Sequence, residues 1–203
     1  MIAAGMLGDI PPKAASALDI ARRNSDRLLS LINEILDLQS VETNTMQIDI
    51  RSTSLTAIVA DAISEIAPFT TKLDITVNSD LPQDEIFVAA DRKRAGQVLS
   101  NVLSNAAKFS PQGSIVDVRI ESDETNARVL VSDCGSGLFD DDYDKVFEPF
   151  TQIDSSDTRK IGGTGLGMNI SRRIMEALGG TITYRRNADI GTTFVVELPL
   201  AVI

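Results

Sequence analysis

From Pro12 to about Glu42 the chain carries no glycine and no further proline, and its apolar residues recur at helical spacing. Leu28, Leu31, Ile32, Ile35 and Leu38 follow a three-four rhythm, with Leu29 and Leu36 widening the stripe. Arg22, Arg23, Asp26, Arg27 and Glu34 take the remaining surface. A helix of this length needs a partner to cover its apolar face. Two partners satisfy the pattern equally well: the rest of this chain, or a helical hairpin that dimerises. Ahead of it, residues 1–8 read as the tail of another helix, ended by Gly8-Asp9 and reset by Pro11-Pro12.

Beyond this helix the periodicity changes. Met46 to Ile50 alternates like a strand, and Ser54 is a suitable N-cap for a helix reaching about Ala67. Short strands are expected at 73–78 and 86–90, then a helix from Asp91 to about Phe109, stopped by Ser110-Pro111-Gln112-Gly113. Ile115 to Glu121 and Arg128 to Asp133 read as paired strands across Asp123-Glu124-Thr125-Asn126. Residues 134–165 are rich in Gly, Asp and Ser, with at most a short helix near 144–148. A helix over 165–178, closed by Gly179-Gly180, and strands at 181–185 and 192–199 complete the order. The expected fold is α+β, a mixed sheet with helices on one face, preceded by a long helix. The expected division is residues 1–44 for the helical part and 45–203 for the α+β domain.

Composition removes several function classes. The chain has no histidine, which excludes Ser-His-Asp hydrolysis, histidine metal sites and histidine acid-base chemistry. Its one cysteine, Cys134, excludes an internal disulfide and a cysteine zinc site. A formal net charge of −10 opposes nucleic-acid backbones and anionic lipid. No apolar run approaches the ~20 residues that span a bilayer, so no direct membrane contact is expected. Catalysis must rest on carboxylates, amides, lysine, arginine, backbone groups or a bound metal.

Three segments can carry such chemistry. On the helix at 91–109, Val98, Leu99, Val102, Leu103 and Ala106 form an apolar stripe, while Asn101, Asn105 and Lys108 share a polar face. Asparagine costs roughly 0.5 kcal/mol relative to alanine inside a helix. The face is either solvated, or holds an amide for a hard cation and a lysine for phosphate. Next, Asp133-Cys134-Gly135-Ser136-Gly137 follows a strand and offers a fixed carboxylate beside backbone that a ligand can approach closely. Third, Gly162-Gly163-Thr164-Gly165-Leu166-Gly167-Met168 opens a helix, where consecutive N–H groups make an anion site. It lacks the lysine and spacing of a P-loop and the βαβ context of a dinucleotide fingerprint.

In their order and spacing these segments resemble the histidine-kinase branch of the ATP-binding superfamily that includes gyrase B, Hsp90 and MutL. Asn101 to Phe109 resembles its asparagine box, Asp133-Cys134-Gly135-Ser136-Gly137 its first glycine box, and Gly163-Thr164-Gly165-Leu166-Gly167 its second. Val146-Phe147-Glu148-Pro149-Phe150 is similar to the phenylalanine box of the kinases. Upstream, Asn24 to Leu38 resembles the second helix of the kinase dimerisation hairpin, which favours the dimerising reading of the first helix.

The resemblance implies a Bergerat-type two-layer α/β sandwich that binds ATP and Mg²⁺. Asn105 would ligate the metal, with Asn101 nearby and Lys108 on phosphate; these three form the expected catalytic set. Phe109 would pack on adenine. Asp133 would accept the adenine amino group with Thr192 assisting through water, and Gly135 and Gly137 would admit base and sugar. Arg159 or Lys160, on a lid over 138–165, would reach phosphate. Gly163, Gly165 and Gly167 would hinge the lid and bind phosphates, with Thr164 and Leu166 between them in the cofactor-binding set. Phe147 and Phe150 have a simpler reading as pins holding the lid to the core.

Gyrase-like ATPases carry a glutamate base where this chain has Asn101, an amide that takes no proton at neutral pH. Transfer to a protein nucleophile therefore fits better than hydrolysis. The family's acceptor histidine is missing, so the chain is expected to be a fragment whose histidine lies upstream of Met1 in a longer parent. Implied partners are ATP or ADP, a second copy through the hairpin, and a response-regulator receiver domain. The implied location is the cytoplasm, whether or not a parent is anchored in a membrane. Cys134 stands where asparagine is common, and Met168 where leucine is. The rival functions are a non-catalytic nucleotide-binding scaffold and an anti-sigma-type serine kinase.

Overall fold

The computed structural model describes residues 11–43, 45–151 and 164–201. The tail of a preceding helix expected at residues 1–8 lies outside them. Helix α1 (Pro12–Glu42) leads into strand β1 (Arg51–Ser54), helix α2 (Leu55–Lys72), strands β2 (Thr76–Asp80) and β3 (Phe87–Ala90), and helix α3 (Arg92–Phe109). Strands β4 (Ile115–Ser122) and β5 (Asn126–Ser132) follow, then a single 3₁₀ turn at Asp140–Asp142 and the short helix α4 (Tyr143–Phe147). Helix α5 (Gly167–Ala177) and strands β6 (Thr181–Arg186) and β7 (Thr192–Pro199) close the chain.

The five-stranded sheet runs β2-β4-β5-β7-β6. Its β2–β4 pair is parallel and the others antiparallel, which makes it mixed. Alternate residues point to one buried face: Val116 and Val118 of β4, Ala127, Val129 and Val131 of β5, Phe194, Val196 and Leu198 of β7, and Ile182 and Tyr184 of β6. Against that face lie the apolar stripes of the helices. They are Ile58, Val59, Ala62 and Ile66 of α2, Val98, Leu99, Val102, Leu103 and Ala106 of α3, and Ile170, Ile174 and Met175 of α5. The expected layering, with helices over one face of a mixed sheet, is what forms.

Two caps fix the helices that matter. Ser54 Oγ accepts from the Ala57 N–H at 3.2 Å. Asp91 Oδ1 accepts from Lys93 and Arg94 N–H at 2.9 and 3.1 Å, starting α3 where the sequence predicts it. Helix α2, by contrast, runs through Pro68 to Lys72 rather than stopping near Ala67. Thr70 continues the buried stripe one turn beyond Ile66, and tertiary burial outweighs the lost backbone bond. The extension delays β2 to Thr76 instead of residue 73. The expected strand at 46–50 does not form; the pairing of β1 with β3 starts at Arg51↔Ala90. Asp91 turns into α3, so earlier residues have no strand to join. Met46 and Ile48 still pack against the core, which accounts for their alternation.

Helix α1 lies against α5 and α3. Leu38 packs on the core, and Asp37 bonds Arg94 Nη1 at 3.0 Å and Gln97 Nε2 at 2.8 Å. Ile20, Leu28, Leu29, Ile32 and Leu36 remain exposed. One side of the apolar stripe thus serves this chain, and a broad remainder is uncovered. Among the described residues, no helix is long and apolar enough to cross a membrane.

Candidate functional site

Asp133 follows directly on the last residue of β5 and is only 6% exposed. Its Oδ1 accepts from the Gly135 N–H at 2.8 Å and the Thr192 N–H at 3.1 Å. Its Oδ2 makes no hydrogen bond to any described residue. Burial pushes the carboxyl above its ordinary value, and the two N–H donors pull it back only in part. One oxygen is therefore locked and the other held ready as an acceptor at a desolvated position.

The backbone around Asp133 leaves no room for a side chain at Gly135 or Gly191. A Cβ on Gly135 would lie 2.7 Å from the Phe109 carbonyl oxygen. Gly191, at φ +88°, would put a Cβ 1.9 Å from the Asp133 carbonyl oxygen. That carbonyl accepts from Asn187 Nδ2 at 3.2 Å, and Asn187 Oδ1 accepts from Thr193 Oγ1 at 2.6 Å. Thr193 Oγ1 also lies 2.7 Å from Ser132 Oγ. This polar chain ties the β6–β7 turn to the strand end bearing Asp133. Thr192 is buried, and its hydroxyl accepts from the Leu138 N–H at 3.0 Å, so it steadies the loop that starts at Gly137.

Helix α3 carries the polar face. Asn105 is half-buried, and its side chain makes no hydrogen bond to any described residue. Lys108, also half-buried, has its ammonium pushed below its ordinary value by desolvation, while the Glu34 carboxylate works in the opposite direction. Asn101 is differently employed. Its Nδ2 donates to Ser171 Oγ at 2.9 Å, and its Oδ1 sits where a Cβ on Gly167 would approach to 2.5 Å. Asn101 therefore anchors α5 to α3, a role that Ser171 shares and that sequence reasoning missed. Phe109 reaches the site through its backbone against Gly135, and its ring is half exposed.

At the start of α5, Leu166 is buried and occupies the N-cap position, where its own side chain makes no capping hydrogen bond. Among the described residues no group accepts from the first-turn N–H groups of α5, which suits them to an anion. Phe150 N–H donates to the Gly165 carbonyl at 3.0 Å, and Gly165 adopts φ +72°. Thr164 Oγ1 accepts from the Leu166 N–H at 3.2 Å and donates to Glu34 Oε2. Glu34 was legible only as a surface charge. Arg159, Lys160 and Gly163 lie outside the described residues.

The phenylalanine pair divides its roles. Phe147 is buried against Tyr143 and Tyr184, with the Arg172 guanidinium 5.4 Å from its ring centre, and its carbonyl accepts from Asn169 Nδ2 at 2.7 Å. It pins α4 to α5. The Phe150 ring is 68% exposed, so only its backbone fastens the loop. Cys134 is half-buried with its Sγ donating to the Ile115 carbonyl at 3.4 Å.

The arrangement offers a recessed carboxylate at one end, a helix start whose first-turn N–H groups have no acceptor among the described residues at the other, and an amide and a lysine on α3. Residues 90–202 match the family described as histidine kinase-, DNA gyrase B- and HSP90-like ATPases. Sensor protein GacS of Pseudomonas syringae pv. syringae is 34% identical over 95% of this chain and 22% of that protein. The autoinducer 2 sensor kinase/phosphatase LuxQ of Vibrio harveyi is 33% identical over 90% of this chain and 22% of LuxQ. The chain thus spans about a fifth of the length of these curated relatives. Among solved structures, full-length ShkA in complex with AMPPNP has the same fold, with TM-score 0.81 at 24% identity over 96% of this chain and 40% of ShkA. The nucleotide-free catalytic domain of the histidine kinase ThkA gives TM-score 0.65 at 26% identity over 74% of this chain and 97% of that domain. The chain belongs to the histidine kinase-, DNA gyrase B- and HSP90-like ATPase family, and the relatives it matches are sensor kinases.

Proposed function

We propose that this chain is the ATP-binding catalytic module of a sensor histidine kinase, and that it transfers the γ-phosphoryl group to a histidine outside the segment. The carrying observation is Asp133, with one oxygen fixed by Gly135 and Thr192 and the other left as an acceptor for an exocyclic amino group. Adenine presents such a donor. The phosphates would then run toward Lys108, Thr164 and the start of α5, where N–H groups and an ammonium converge on negative charge.

Mg²⁺ fits this donor set. Among the described residues no cluster of three or more carboxylates or cysteines could hold a metal unaided. Asn105 Oδ1 is a single hard oxygen, and Mg²⁺ is commonly held by one or two protein ligands, phosphates and water. Bound there, the ion would neutralise charge on the transferring phosphoryl group. Asn101 cannot activate water, because it is an amide and is engaged with Ser171. A neutral imidazole needs no such base. Transfer to histidine, followed by relay to a response-regulator aspartate, is therefore the favoured outcome over hydrolysis.

Residues 1–44 would supply part of a helical hairpin and 45–203 the catalytic domain. The uncovered Leu28, Leu29, Ile32 and Leu36 give α1 a face suited to a second copy. The test is calorimetric titration with AMPPNP, with and without Mg²⁺, followed by incubation with an added acceptor hairpin. Saturable binding and acid-labile, base-stable phosphate on the hairpin are expected. Asn105→Ala should remove the Mg²⁺ dependence and the transfer while retaining adenosine binding. Absence of any nucleotide binding to the folded chain would refute the proposal.

A further inference from the structure

Helix α1 reaches into the phosphate end of the site. Glu34 is half-buried, and its Oε2 accepts the proton of Thr164 Oγ1. The same carboxylate bears electrostatically on Lys108. One turn further along α1, Asp37 holds the helix in place through Arg94 and Gln97. Arg94 Nη1 also donates to Gln97 Oε1 at 2.9 Å, so the three side chains close a ring at the α1–α3 contact. The Asp37 and Arg94 side chains are only 23% and 19% exposed, so this ion pair is better shielded than those at the surface.

We infer that α1 and a nucleoside triphosphate compete for one surface, the Glu34 carboxylate standing where a phosphate oxygen would otherwise be bound. This rests on the nucleotide reading above and adds a regulated face to it. The chemistry is one of substitution. A threonine hydroxyl has a single proton to donate, so Thr164 cannot bond both the carboxylate and a phosphate oxygen. Lys108 likewise faces a negative charge that is already in place. A phosphate brought beside Glu34 would meet like-charge repulsion in a partly desolvated setting, where screening is weak. Triphosphate binding must therefore displace Glu34, and the docked helix resists it. Asp133, tied to the β6–β7 turn at the adenine end, makes no contact with Glu34, so a nucleoside without phosphates should not sense the helix.

The experiment uses the whole chain, titrated with AMPPNP plus Mg²⁺ and separately with adenosine. Compared are wild type, Glu34→Ala, and Asp37→Ala, which loosens the same helix without touching the phosphate end. A binding-competent fraction of about one tenth in the wild type would rise toward unity, so AMPPNP affinity should increase about tenfold in Glu34→Ala. Asp37→Ala should shift it in the same direction, and adenosine affinity should stay constant in both. Unchanged AMPPNP affinity in Glu34→Ala, or an equal gain for adenosine, overturns the inference while leaving the nucleotide site intact. If neither wild type nor variants bind either ligand, the nucleotide reading falls and this inference falls with it.

Discussion

Replacing Asp133 by asparagine should weaken nucleotide binding and at the same time stabilise the unliganded fold. The amide oxygen can still accept from Gly135 and Thr192 N–H, so the local backbone has no reason to move. The other atom changes from acceptor to donor. Where the carboxylate would accept from an adenine amino group, the variant presents N–H to N–H. The lost bond has an ionised partner and contributes about 1.5–3 kcal/mol, and the opposed donors leave both unpaired. At ~1.4 kcal/mol per decade, affinity for AMPPNP or adenosine should fall about tenfold to a hundredfold or more. Stability moves the other way. Burial raises the Asp133 carboxyl above its unfolded value, so the folded state binds the proton more tightly. Between the unfolded value of 3.8 and the raised folded value, stability falls as pH rises, and at neutral pH the ionised group costs the fold free energy. Asparagine removes that cost. In a chain of this size each kcal/mol recovered appears as roughly 2–4 °C in Tm. Calorimetric titration and thermal melts at pH 4 to 8 measure both quantities. Binding within threefold of wild type, or a lower Tm at neutral pH, would refute the assignment of Asp133 as a strained adenine acceptor.

Other substitutions report on the supports of the site. Gly191→Ala combines a positive φ with a Cβ 1.9 Å from the Asp133 carbonyl oxygen, and should cost about 3 kcal/mol or more in urea unfolding, with nucleotide binding lost. Asn187→Ala removes the amide between Asp133 and Thr193; a loss of about 1–2 kcal/mol is expected, with a smaller drop in adenosine affinity than in Asp133→Asn. The proposed pairing of α1 with a second copy predicts self-association in sedimentation that Leu36→Glu, at an exposed position of α1, abolishes while leaving adenosine binding unchanged.

What the sequence announces depends on how far apart the cooperating residues lie. The start of α3 is readable because Asp91 and its two N–H donors are neighbours in the chain. The apolar stripe of α3 is equally local, and burial follows it. Pro68 misleads, because the force carrying α2 past it comes from burial of Thr70. Met46 and Ile48 alternate as a strand would, yet pairing requires a partner beyond Ala90, and Asp91 has already turned into a helix. At the site, Asp133 and the glycines are readable as a motif. Asn187 is not, because it reads as one more turn residue until the fold brings it to the Asp133 carbonyl, 54 positions away in sequence. Glu34 is hidden for the same reason, as its contact with Thr164 spans 130 positions.

Several residues that conflict with local preference lie at the proposed nucleotide site. Asn105 sits inside a helix, its side chain with no hydrogen-bond partner among the described residues. Asp133 is buried at a cost, and Gly137, Gly165 and Gly191 hold positive φ angles. Sites that violate the rules of stable folding are where function is expected, since only a ligand can recover the loss. The two ends nevertheless differ. At the proposed adenine end the carboxylate keeps an acceptor that no described residue uses. At the proposed phosphate end the fold supplies its own anion, Glu34, on a helix whose exposed apolar face also suits a second chain. Binding a base should therefore leave the Glu34–Thr164 contact intact, whereas binding a triphosphate should displace it. Because one helix carries both the competing carboxylate and the uncovered apolar face, any partner that repositions α1 through that face would change phosphate affinity without touching the site.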